Sequence, residues 1–183
     1  MVPSLEVRWF LPGPVPPAAR AWFEGLGDHV EPESRTDRYL VPTEGEDLGL
    51  KVREGRVEAK QRTGRLEAST WGRATARPEA WRKWTLGLAT EERLAEGWRD
   101  VAKTRVQRWV RDGEAACALE LADVEVGGEA WWSVCLEASG GDATSHAQVL
   151  DAAARRWLGR PDAPALGADA ALGYPAWLRR GAG

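Results

Sequence analysis

The residues best suited to chemistry are Lys, Arg and Glu side chains that recur two apart. Lys51 and Arg53 alternate with Leu50 and Val52, and Lys60 and Arg62 alternate with Val57 and Ala59. The stretch Asp47–Gly64 reads as two strands around a tight Glu54-Gly55 turn, because strand side chains point to opposite faces with a period of two. Lys103 and Arg105, with Gln107, repeat the pattern, and Arg8 alternates with Val7 and Trp9. A face of ammonium and guanidinium groups receives phosphate oxygens well, bidentately where the group is Arg. Carboxylates mark the same faces: Glu6, Glu58, Glu120 and Glu137. Grouped carboxylates hold a hard divalent cation such as Mg2+ or Mn2+. The plainer reading of charged alternation is a strand face open to water. Several such stripes in one chain favour strands whose charged faces turn inward around a polar barrel or tunnel. That interior is costly unless its charges are paired or meet water and ligand.

The elements that must position these residues follow from periodicity and punctuation. Residues 4–10 form a first strand with Leu5, Val7 and Trp9 on one face and Ser4, Glu6 and Arg8 on the other. A helix over Pro17–Leu26 starts on proline and stops at Gly27. Arg35–Val41 is a second strand, the hairpin follows, and residues 65–76 are polar and turn-rich. Residues 78–86 are a strand or its approach, and Thr90–Trp98 is a short helix. Strands over Val101–Arg111, Ala115–Val126 and Ala130–Ala138 come next, the last two joined at Gly127-Gly128. Ala143–Leu158 is an amphipathic helix, residues 159–173 a loop, and the end a short helix that docks Tyr174 and Trp177. About eight antiparallel strands with helices at the edges make an α+β fold in one domain spanning 1–183.

Composition bounds the function. The chain has 183 residues and a net charge of −3, yet residues 51–111 hold 16 Lys/Arg against 8 Asp/Glu. An acidic whole argues against general nucleic-acid binding, while the basic middle suits a small polyanion held locally. Eleven Trp stand beside only two Phe and two Tyr; most suit core packing, and Trp131-Trp132 and the run W-R-K-W at 81–84 are candidates for a protein-binding patch. Cys117 and Cys135 lack metal-ligand spacing and read as buried thiols. His29 and His146 stand in no catalytic arrangement, and Asp37 and Asp123 read as turn or cap residues. No stretch has the length of a membrane span and the N-terminus has no signal-peptide pattern, so a cytoplasmic protein is expected.

The succession of motifs resembles the CYTH, or triphosphate tunnel metalloenzyme, superfamily: S-L-E-V-R at 4–8, D-R-Y-L at 37–40, L-K-V-R at 50–53, V-E-A-K at 57–60, K-T-R at 103–105, L-A-D-V-E-V-G-G at 121–128, C-L-E at 135–137 and the ending L-G-Y-P-A-W-L. The resemblance implies an eight-stranded antiparallel tunnel. It also implies divalent-metal-dependent hydrolysis or cyclisation of triphosphate compounds. Departures fall on the acidic side: Ser4, Ala122 and Cys135 stand where the family pattern has carboxylates, and Arg8 where it has Lys. Two readings follow. In a metal-dependent phosphohydrolase, Lys51, Arg53, Lys60, Arg62, Lys103 and Arg105, with Arg8, clamp the phosphates. Glu6 and Glu137, with Glu120, then hold Mg2+ or Mn2+, and Glu6 and Glu137 carry catalysis. In a non-catalytic module the same basic face binds a phosphorylated small molecule, polyphosphate or nucleotide without turning it over.

Overall fold

A computed structural model describes residues 2–88 and 96–181. Eight strands close into an antiparallel barrel, and three helices flank it. In chain order the elements are β1 (Val2–Pro12), α1 (Pro17–Glu24), β2 (Glu33–Leu40), β3 (Leu48–Arg53) and β4 (Arg56–Arg65). A small separate ribbon, β5 (Ser69–Trp71) and β6 (Ala74–Ala76), precedes β7 (Glu79–Leu88), β8 (Trp98–Asp112), β9 (Ala115–Val126) and β10 (Glu129–Ser139). The helices α2 (Ala143–Leu158) and α3 (Tyr174–Gly181) complete the fold. Around the barrel the strands run β1, β10, β9, β8, β2, β3, β4 and β7, and β7 pairs back to β1. Each barrel strand thus has a partner on both sides, with the β2–β3 seam the shortest at two residue pairs.

The elements differ from the sequence reading at a few boundaries. The first helix ends at Glu24, with Gly25 rather than Gly27 at its C-terminus. The turn-rich 65–76 region contains the β5–β6 ribbon. Of the helix expected over Thr90–Trp98, residues 90–95 lie outside the described residues, and Trp98 opens β8. The central hairpin turns at Glu54 and Gly55 with φ of 49° and 71°. Both torsions are positive, as a two-residue turn matched to strand twist requires.

Side-chain alternation puts one core outside the barrel wall. Leu5, Val7 and Trp9 of β1 join Leu119 and Leu121 of β9 and Val134 and Leu136 of β10. Val149, Leu150, Ala153, Trp157 and Leu158 on the apolar stripe of α2 pack over them. Burying each large side chain there contributes roughly 1.5–3 kcal/mol. The indoles suit this layer because their N–H groups find acceptors: Trp9 on Thr75 O at 3.1 Å, Trp22 on Trp157 O at 3.2 Å and Trp71 on Asp151 Oδ1 at 2.9 Å. Asp142 caps α2 by accepting from the Ser145 N–H. Asp123 lies on the outside, accepting from the Val15 N–H and from Arg20, so it ties down the β1–α1 connection as a structural residue.

A second core closes one end of the barrel. Phe10, Tyr39, Val101, Ala122, Val124 and Val126 meet Trp177 and Leu178 of α3. Phe10 stacks on Trp177 at 4.2 Å and Tyr39 on Tyr174 at 4.7 Å between ring centroids. Pro175 packs so closely on β3 that a Cβ at Gly49 would lie 3.1 Å from its Cγ. Arg179 pairs with Glu46 at 2.7 Å in the connection before β3. The terminal helix is therefore a plug, and the barrel interior is a chamber with one stopped end.

Candidate functional site: a basic chamber inside the barrel

The inward faces of the strands line a cavity of about 300 Å³. Its wall carries eight basic side chains, Arg8, Arg35, Lys51, Arg53, Lys60, Lys83, Lys103 and Arg105, against four acidic ones, Glu6, Glu58, Glu120 and Glu137. The alternation that sends Leu5, Val7 and Trp9 outward sends Glu6 and Arg8 inward. The same parity puts Glu120 on β9 and Glu137 on β10 inside, where Glu6 pairs with Glu137 and Arg8 with Cys135 across the β1–β10 ladder.

The charges fall into two groups. The first centres on Arg8, which donates from Nε to Glu6 at 3.1 Å and from Nη1 to Glu120 at 2.9 Å. Glu120 also accepts from Lys103 at 3.0 Å, Arg105 at 2.9 Å and Gln107 at 3.2 Å. Lys60 donates to the other oxygen of Glu6 and to Glu137 at 3.3 Å. Burial opposes ionisation of Glu6, but the charges of Lys60 and Arg8 outweigh it and hold its pKa at about 2. Glu120 follows the same logic: burial raises it, and Lys103 and Arg8 bring it well below the usual carboxylate range. Burial lowers the pKa of Lys60, yet Glu137 and Glu6 carry it above the usual lysine value.

The second group lies on β2, β3, β4 and β7. Arg53 grips Asp37 bidentately, at 2.8 and 2.6 Å. Lys51 lies 3.4 Å from Asp37 and 3.1 Å from Glu58, and Lys83 lies 3.5 Å from Glu58. Arg35 places Nε 3.5 Å from Asp37 and pairs with Glu33. Four cations here face three carboxylates, Asp37, Glu58 and Glu33, the last shared with Arg105. Burial and the neighbouring Arg53 depress the Lys51 pKa to about 8, despite Asp37 and Glu58. Burial is the first cause of that depression and repulsion from Arg53 the second.

Of the residues singled out from the sequence, Glu6, Arg8, Lys51, Arg53, Lys60, Lys103, Arg105, Glu120 and Glu137 meet in this chamber. Arg62 does not line it; it pairs with Asp47 and with Glu79 at 2.6 Å. Asp37, expected as a turn or cap residue, is instead the buried counter-ion of Arg53 inside β2. Arg35 and Lys83 are chamber cations that sequence reasoning passed over. Their signal was present in the alternations Arg35-x-Asp37-x-Tyr39 and Trp81-x-Lys83. Trp81 and Tyr174 also line the wall, and Trp81 Nε1 and Tyr174 Oη are buried without a hydrogen-bond partner among the described residues. Of the proposed patch, Trp81 and Trp132 are buried. The strongly exposed indole is Trp109, 55% exposed, on the inward parity of β8 at the chamber wall.

Neither a family model nor a curated protein matches this chain. The resemblance to triphosphate tunnel enzymes thus rests on the order of its motifs, and function has to be argued from the chamber.

A divalent ion needs several oxygens free to coordinate it. Among the described residues no group of three or more His, Cys, Asp or Glu side chains is placed to hold one. Both oxygens of Glu6 and both of Glu120 already accept from Arg or Lys. The donor set as it stands does not fit a metal. Cys135, on the same wall, is buried and has its pKa raised by that burial, so it stays a thiol. No helix among the described residues is long and apolar enough to cross a membrane.

Proposed function

We infer that this protein binds a phosphate-rich anion inside its barrel, a divergent form of the triphosphate-tunnel arrangement. The observation that carries the reading is the charge of the chamber: eight basic side chains on the wall against four acidic ones, an excess that persists when Asp37 and Glu33 behind the wall are counted as partners of Arg53, Arg35 and Arg105. Cations gathered in a low-dielectric enclosure attract a polyanion far more strongly than they do on an open surface. On the β2–β3–β4–β7 wall, Arg35, Lys51, Arg53 and Lys83 face Asp37, Glu58 and Glu33, and Glu33 is shared with Arg105. Arg53 and Arg35 supply planar donor forks, and Lys51 and Lys83 supply point charges. Trp81 Nε1 and Tyr174 Oη add buried donors without an acceptor among the described residues. A cavity of about 300 Å³ suits a short polyphosphate or a compact phosphorylated metabolite.

Binding without turnover is the reading the geometry favours. Phosphohydrolysis through Glu6 and Glu137, with Mg2+ or Mn2+ on Glu6, Glu120 and Glu137, requires those carboxylates to exchange their Arg and Lys partners for metal. Titration calorimetry with inorganic triphosphate, followed by assay of the same mixtures for released phosphate, separates the two. Saturable binding with no phosphate release supports the module. Release that needs Mn2+ and disappears in Glu137→Ala supports the hydrolase. Absence of binding to triphosphate and to longer polyphosphate refutes both.

A further inference from the structure

We propose that Arg8 and Lys60 are built-in cations occupying the places between carboxylates that a divalent ion would need, so that the barrel holds its anion without metal. The second half rests on the anion-binding reading above; the first stands on the geometry alone. Arg8 reaches two carboxylates from different strands, Glu6 on its own β1 and Glu120 on β9, at 3.1 and 2.9 Å. Lys60 spans Glu6 and Glu137 in the same way. Glu6, Arg8 and Glu120 are all nearly inaccessible, at 5, 7 and 3% exposure, so solvent does not neutralise these carboxylates. Each needs a cation, and the protein supplies one covalently attached.

The arrangement is specific in its chemistry. A guanidinium carries one charge spread over a plane and satisfies several acceptors at set angles. A divalent ion carries two charges at a point and draws oxygens to about 2.1 Å. Arg8 is held from the other sides too, with Ser133 Oγ at 3.5 Å from its Nη1 and the Tyr174 ring 5.1 Å from its Cζ. A metal could enter only by displacing a side chain wedged between two strands and the plug helix. With Lys103 and Arg105 closing on the remaining face of Glu120, no carboxylate edge of that residue is left for a metal. The three acids thus orient basic side chains, and those side chains do the neutralising that metal does elsewhere in phosphate chemistry.

The test has two arms. In the first, electron paramagnetic resonance follows uptake of Mn2+ alone, without phosphate, by the wild-type chain and by Arg8→Met, which removes the guanidinium and keeps much of the bulk. The wild type should leave Mn2+ free in solution. Arg8→Met should bind it and melt at higher temperature in Mn2+ than in EDTA, as ligand binding to the folded state requires. The variant with Glu120→Gln added should lose that uptake. Wild-type uptake of Mn2+, or a folded Arg8→Met that takes up none, overturns the proposal. The second arm needs no variant: wild-type protein is titrated with inorganic triphosphate in EDTA and in Mn2+. Affinity in EDTA equal to or tighter than that in Mn2+ is expected, because Mn2+ chelates the free ligand. Binding that is at least about tenfold tighter with Mn2+ overturns metal independence and leaves the anion-binding reading intact. Absence of binding in both buffers refutes the anion-binding reading and metal-independent binding with it, while the Mn2+ arm still decides whether Arg8 holds the metal's place.

Discussion

Neutralising Glu120 should loosen the fold and tighten the grip on the anion at once. Glu120 is buried and accepts from Arg8, Lys103, Arg105 and Gln107 at 2.9–3.2 Å. In Glu120→Gln one oxygen remains to accept, and an amide N–H₂ turns toward cations that repel it. Removing one member of a buried ionic network costs about 3–5 kcal/mol. For a domain of this size that lowers Tm by roughly 6–20 °C. Ligand binding moves the other way, because one negative charge leaves the chamber. Taken at about 8 Å with an effective dielectric constant of about 20, that charge opposes each unit of ligand charge by about 2 kcal/mol. Screening leaves about 1 kcal/mol for each unit of ligand charge, so triphosphate, which carries several, should bind at least about fivefold tighter in EDTA. Differential scanning fluorimetry reads the first quantity and calorimetry, below the variant's Tm, the second. An unchanged Tm would refute the network as a stabilising unit. Weaker binding in EDTA would refute the placement of Glu120 as a counter-ion rather than a ligand-binding group.

Other outcomes follow from the same chamber. Triphosphate affinity should fall as pH rises through about 8, because Lys51, depressed to about 8 by burial and Arg53, loses its charge there; Lys51→Met should remove that step from a pH series of titrations. Acid unfolding should set in below pH 4.5 and run toward pH 2, since Glu6 falls from 4.5 in the unfolded chain to about 2 in the fold. The stability its ionised form contributes is complete above the higher value and lost as protons bind toward the lower one; circular dichroism against pH measures it, and Glu6→Gln should flatten that limb. Arg53→Ala should weaken triphosphate binding at least about tenfold, because it removes one chamber cation and leaves the charge of buried Asp37 to oppose the anion. Arg62→Ala should change it less than about twofold, because Arg62 is committed to Asp47 and Glu79 away from the cavity. Trp177→Ala should cost about 3–5 kcal/mol in a denaturant titration by unstacking the plug from Phe10.

Local alternation made the chamber's parity legible. Glu6 and Arg8 opposite Leu5, Val7 and Trp9, and Glu120 and Glu137 two strands on, needed only the period of two. Height along the barrel was not legible. Arg62 shares a parity with Lys60, but the strand stagger and the irregularity between Arg62 and Gly64 carry it to Glu79, away from the cavity. Asp37 reads as a turn or cap residue because aspartate is depleted in strands and common in caps. Only pairing of β2 with both β3 and β8 brings it beneath Arg53 and Lys51. The β2–β8 pairing joins distant parts of the chain and the β2–β3 register is set across a connection, neither of which periodicity within one strand encodes. The same limit hid Arg35 and Lys83. It also hid the consequence of the C-terminal helix: docking of Tyr174 and Trp177 was expected, but stopping one end of the barrel depends on where closure puts Phe10 and Tyr39.

The most direct test of an anion held inside the barrel is a crystal structure of the wild-type protein grown with tungstate, whose anomalous scattering locates a tetrahedral oxyanion without ambiguity. The strongest anomalous peak should lie within the chamber, in hydrogen-bonding reach of Arg53 and of Lys51 or Lys83. A strongest peak on the outer surface, or a chamber without one while tungstate occupies other sites, would contradict the account.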